Sequence, residues 1–132
     1  MAEVLATPDV EALVVSYLST VLGDAANRVS TKVNNPRPDK SVRVSRTGGP
    51  RLNVVTDAPQ ILVECWADNE TDACDLARYA HAYMWALPQT DVGGVWVRGV
   101  SELGGVQNFP DPDSDSPRYQ FVMVLDVRPQ EV

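Results

Sequence analysis

The stretch QILVECWADNETDACDLARYAHAYMWALP, residues 60–88, decides how this chain folds. Its first part is apolar on both alternating faces, with Ile61, Val63 and Cys65 on one side and Leu62, Glu64 and Trp66 on the other. A strand of that kind belongs inside a sheet, because both of its faces need cover. Ala67-Asp68-Asn69 turns the chain, and Asp68 or Asn69 caps the helix that follows. Glu70 and Asp72 then fall in the first turn, where the helix dipole favours negative charge. Ala73, Leu76, Ala77, Ala80, Met84 and Leu87 share one helical face whose alanines permit close packing, and Pro88 stops the pattern. Tyr79 and Trp85 lie more than about 90° from the centre of that face. Two readings stay open for them: cover by another helix, or anchoring of a partner through buried aromatic surface.

Upstream, Thr7-Pro8 reads as a cap followed by proline at the first helical position. Val10, Leu13, Val14, Tyr17, Leu18, Val21 and Leu22 form one face of that helix, and Gly23 ends it. Arg28 to Val33 reads as a short strand, broken by Asn34-Asn35-Pro36-Arg37-Pro38-Asp39. Ser41 to Thr47 alternates, with Val42 and Val44 on one face and Arg43, Ser45 and Thr47 across from them. Gly48-Gly49-Pro50 interrupts it, and Leu52 to Val55 resumes pairing before Asp57-Ala58-Pro59. Downstream, Val92 to Leu103 is a strand framed by glycine pairs, Asn108 to Pro117 a polar loop, and Tyr119 to Arg128 a second interior strand ended by Pro129. The expectation is one α+β domain over residues 1–132: a four- to five-stranded, mostly antiparallel sheet, two helices on one face, and a protruding basic β-arm.

The length of 132 residues suits one domain, and 44% hydrophobic with 22% charged residues is ordinary globular composition. No run of about 18 apolar residues marks a membrane span. Met1-Ala2-Glu3 opens without the basic and apolar regions of a secretory signal, so the protein is expected to stay where it is made. Cys65 and Cys74 lack metal spacing and read as reduced thiols. Charge is unevenly placed. Arg28 to Arg51 holds seven basic residues against the single acid Asp39, so that segment is +6 and the remainder of a −7 chain is −13. The segment is either a solvated hairpin or an arm that lies on an acidic partner, another copy of the same chain included. Nucleic-acid binding fits less well, since the arm lacks interleaved aromatics and the acidic body repels phosphate.

Chemistry has little to stand on. Cys65 and the single histidine, His81, form no recognisable nucleophile pair, and the glycine pairs lead into no phosphate-binding helix. Asp111, Asp113 and Asp115 are spaced by two, but the glycine and glutamate of a calcium loop are missing. Glu64, a carboxylate in an interior strand, is expected to pair with an arginine of a neighbouring strand. No catalytic residue, metal or cofactor is expected, and the chain reads as a non-enzyme.

Three stretches carry a family resemblance: Val42-Arg43-Val44-Ser45-Arg46-Thr47-Gly48-Gly49, then Val63-Glu64-Cys65-Trp66-Ala67 leading into Ala73-Cys74-Asp75-Leu76-Ala77, and Pro110-Asp111-Pro112-Asp113 before Arg118-Tyr119-Gln120-Phe121. Together they resemble the tail terminator proteins of long, non-contractile-tailed bacteriophages. The resemblance implies a virion protein assembled in the host bacterial cytoplasm, forming a hexameric ring at the head-proximal end of the tail tube. Its partners would be other copies of itself, the tail tube protein and a head-completion or stopper protein, with DNA passing through the lumen without sequence-specific binding. Neighbouring stopper or adaptor proteins share part of the pattern, and a cellular α+β domain binding a small ligand or protein is the competing class. The expected interface residues are Arg37, Lys40, Arg43, Arg46 and Arg51 of the arm, Tyr79 and Trp85 on the helix, and Asp111, Asp113 and Asp115 in the acidic loop.

Overall fold

In the computed structural model, residues 4–26, 28–33 and 38–132 are described. Arg37 and the Asn34-Asn35-Pro36 break lie outside them. The described elements are β1 (Leu5–Ala6), α1 (Val10–Leu22), β2 (Arg28–Ser30), β3 (Ser41–Gly48), β4 (Arg51–Asn53), β5 (Thr56–Asp57), β6 (Gln60–Trp66), α2 (Glu70–Trp85), β7 (Thr90–Val92), β8 (Val95–Asn108), β9 (Arg118–Val127) and β10 (Gln130–Glu131). A short 3₁₀ turn, Gly23–Ala25, follows α1.

The 60–66 run is an interior strand. β6 pairs antiparallel with β3 on one edge and with β9 on the other. Its alternation then propagates across the sheet: Val44, Val63 and Phe121 stand in one cross-strand row, and Ile61 meets Met123 in another. These side chains are fully buried beneath the two helices. α2 lays Ala73, Leu76, Ala77, Ala80 and Met84 against them, and α1 contributes Val10, Leu13, Val14, Leu18 and Leu22 to the same core. Burying each large aliphatic or aromatic side chain of this layer stabilises the fold by about 1.5–3 kcal/mol.

The sheet is larger than the sequence pattern suggests. It has eight strands rather than four to five, with a separate two-stranded pair, β1 with β10. β2 runs parallel to β3, and the other pairings are antiparallel. β9 carries β6 on one edge, with β5 following at Val127, and carries β8 on its other edge. The extra strands are short and arise from turns. Gly93 and Gly94, at φ +58° and +85°, make a two-residue hairpin between Val92 and Val95, the geometry that matches strand twist. β8 also runs past Leu103 to Asn108, crossing three register shifts near Gly99, Gly104 and Gly105. Bulges of this kind hide the period-two signal because they move side chains off the alternating faces.

Two further expectations change. α1 is capped by Asp9, whose carboxylate accepts from the Ala12 N–H at 3.1 Å, so the helix starts at Val10 and not at Pro8. The basic β-arm does not protrude. Its main strand, β3, lies between β2 and β6 with Val42 and Val44 buried, because those valines complete the core row. The exposed hairpin is the smaller one formed by β4 and β5, whose Leu52 and Val54 are 61% and 60% exposed.

Candidate assembly interface

Arg43, Arg46 and Arg51 of the expected arm make contacts within the chain. Arg46 grips the fully buried Asp57 with both guanidinium nitrogens, at 3.0 and 3.1 Å, and donates to the carbonyls of Gly48 and Gly49. Its own backbone N–H donates to Glu11 at 2.8 Å, so α1 caps an edge position of β3. Arg51 donates to the carbonyls of Leu5, Asn53 and Val54, bracing the β4–β5 hairpin. Arg98, which the sequence did not single out, braces the other side through Val55 O and Thr56 Oγ1 while pairing with Asp126 at 3.0 Å. Lys40 is half-buried, and its carbonyl accepts from the Arg28 N–H.

Glu64 finds the arginine partners its position demanded. Arg118 on β9 donates to it at 2.9 Å, and Arg43 on β3 lies 3.6 Å from its other oxygen. The Arg118 guanidinium also lies 5.7 Å from the Trp66 ring centroid and 5.3 Å from that of Phe109. A cation over aromatic faces in a partly desolvated place is held by their quadrupoles as well as by the carboxylate. This cluster covers Trp66 on the sheet face away from the helices.

The acidic loop closes over the same cluster. The Trp66 indole N–H donates to Asp111 at 3.2 Å, and Asp111 also accepts from the Asp113 N–H at 2.9 Å. Partial desolvation pushes the Asp111 carboxyl up. Hydrogen bonds from Asp113, Ser114 and Trp66, with the Arg118 charge, outweigh that and hold it below its ordinary value. Asp111 thus fastens the loop, whereas Asp113 and Asp115 are exposed.

On α2, Tyr79, Trp85 and Tyr83 are 49%, 44% and 40% exposed. α1 does not cover Tyr79 or Trp85; it reaches only the C-terminal end of α2, where the Tyr17 hydroxyl donates to Tyr83 O at 2.7 Å. Their outward angle on the helix was the signal in the sequence, and Tyr83 belongs with them. Below this face His81 packs edge-on against Phe121 and pairs through Nε2 with Glu102 of β8, while the Trp85 ring stands edge-on beside it. His81 is therefore a brace between α2 and β8. Burial, with the Glu64 charge beside it, pushes the Cys65 thiol far up, which leaves it protonated and non-nucleophilic at neutral pH. The described residues of that set lie apart: Arg43, Arg46 and Arg51 hold the scaffold, Tyr79 and Trp85 lie on α2, and the exposed Asp113 and Asp115 stand at the β8–β9 turn.

This combination, a mostly antiparallel sheet covered on one face by two helices, defines an α+β protein. A profile of phage tail termination proteins matches residues 6–132, and the chain belongs to that family. A solved chain from the virion of a native gene transfer agent particle has the same fold, with a TM-score of 0.56 at 17% identity over 89% of this chain and 93% of that one. No curated protein matches. The protein is a structural component of the phage virion, located in the tail and neck region. Among the described residues no helix is long and apolar enough to cross a membrane.

Proposed function

We propose that six copies of this protein form a ring at the head-proximal end of the tail tube, where the ring stops tube polymerisation and offers a docking face to a head-completion protein. The observation that carries this reading is the family match across residues 6–132, which spans the folded unit and not one motif. Rings that stack through unlike faces grow without limit unless the last one presents a different upper face. The chain has more than one surface suited to such roles. The aromatic face of α2, with Tyr79 and Trp85, is an anchor for a protein partner, and the Asp111–Asp115 loop is a separate contact. Arg43, Arg46 and Arg51, with Lys40 of the same segment, serve the ring by holding the surfaces that neighbouring copies meet. Six copies acting together bind firmly even when each contact is weak. The −7 net charge lets DNA pass the lumen without adhering.

The test is light scattering and negative-stain microscopy of the purified protein, alone and with tail tubes. A species of six times the 14.4 kDa chain mass, capping one end of each tube, is expected. A monomer that leaves tubes uncapped overturns the reading. A ring seen on the head side of the neck makes the protein a stopper or adaptor instead.

A further inference from the structure

Resting on the ring reading, we infer that adjacent copies join through the basic β2 edge of one subunit and the acidic β8–β9 turn of the next, with Arg28 and Lys32 facing Asp113 and Asp115. The separation of two exposed patches of opposite charge carries the inference. One cross-strand row runs from Arg28 to Ser41, from Ser41 to Trp66 and from Trp66 to Arg118. It ends where the Phe109 N–H donates to Arg118 O at 2.9 Å, at the base of the acidic turn. Arg28 therefore lies at the same end of the sheet as the acidic turn, and the β2 edge stands about 19 Å from β8 over four strand spacings.

Separate, unlike patches matter for closure. Contacts between two such patches join copies head to tail, and they close into a ring where the rotation closes. The charges on these patches are also available. Arg28 and Lys32 are exposed and make no ion pair among the described residues. Asp9 and Glu11 line the groove beside β2, but Asp9 caps α1 and Glu11 holds the Arg46 N–H. On the other side, Arg118 is turned inward onto Glu64, which leaves Asp113 and Asp115 as outward charge. Asp68 and Glu70 reinforce them, because the Ala67 N–H donates to Pro117 O and brings the start of α2 beside the turn. Opposite potentials on the two sides steer copies together and fix their register, and they disfavour pairing of like sides.

The experiment uses two double variants of the full chain. Arg28→Glu with Lys32→Glu makes both sides acidic, and Asp113→Lys with Asp115→Lys makes both sides basic. Each variant alone is expected to lose ring formation by at least about 10-fold in the protein concentration required. Mixed in equal amounts they are expected to reassemble as alternating rings, which an even number of subunits allows. Normal rings from either variant alone overturn the inference, as does failure of the mixture when circular dichroism shows both variants folded. If a variant misfolds, the milder Arg28→Gln and Asp113→Asn changes replace it, with wild-type assembly followed against salt. An interface of this kind weakens as salt rises from about 0.05 to 0.5 M, and salt-independent rings overturn it. Should the wild-type protein form no ring at any concentration, it is the ring reading itself that fails.

Discussion

Arg46, expected at a subunit interface, makes an ion pair with a buried carboxylate of its own chain. Its partner Asp57 is wholly buried, and a buried carboxylate without its counter-charge is strongly unfavourable. Arg46→Ala should therefore lower unfolding stability by about 3–5 kcal/mol, read from urea denaturation, with a similar loss for Asp57→Ala. Gly49 belongs to the same corner. At φ +90° an added Cβ would fall 2.2 Å from Ala58 O and 2.7 Å from Gln60 N. Gly49→Ala should destabilise by about 1–3 kcal/mol in the same measurement, from backbone strain and displacement of β6. A stability loss under about 0.5 kcal/mol would show that the corner yields at little cost. The need of Glu64 for a partner is legible in the sequence, since a carboxylate in an interior strand demands a cation. Which arginines supply it, Arg118 and Arg43, depends on register that the residue itself does not encode.

At the scale of elements, the β8–β9 turn is tied down by Asp111. Its folded carboxyl is held below the ordinary value, so the attachment is complete above the ordinary carboxylate range, near pH 3.9, and is lost as pH falls through the depressed folded value. Trp66 fluorescence should thus stay constant at neutral pH and change only in strong acid. In Asp111→Asn the acid-linked change should disappear, and Trp66 should already be more solvent-quenched at pH 7. A wild-type transition centred above about pH 5 would contradict this account. α2 was the most legible element: its buried face follows from local spacing, which also narrows the cap to Asp68 or Asn69, and Asn69 fills it. β7 and the far half of β8 were not, because a glycine hairpin and three register shifts break the alternation that marks a strand.

For the molecule as a whole, the two helices cover one face of the sheet and leave α2's aromatics outward. Tyr79→Ala combined with Trp85→Ala should leave the thermal midpoint within a few degrees of wild type, since about half of each side chain is solvated and neither belongs to the core. The same variant should bind tail tubes or the head-completion protein at least about 10-fold more weakly. Unchanged affinity for both partners would remove α2 from the docking surfaces. Stability and assembly should therefore separate: Arg46 and Gly49 variants fail by unfolding, whereas Tyr79, Trp85 and charge-swap variants stay folded and fail to associate.

The sequence by itself determined what short-range order can encode. Period-two alternation marked β3, β6 and β9, helical spacing marked α1 and α2, and the carboxylate at Glu64 called for a cation. Family patterns within those segments pointed to a phage tail terminator. Tertiary structure alone decided which strands are neighbours, that β3 lies inside the sheet and not out on an arm, and that Arg43, Arg46 and Arg51 bond within the chain. It also decided that Tyr79 and Trp85 remain outside. The reason is physical: side-chain periodicity reports which face of an element is apolar, but the partner that covers it is set by contacts between residues far apart in the chain.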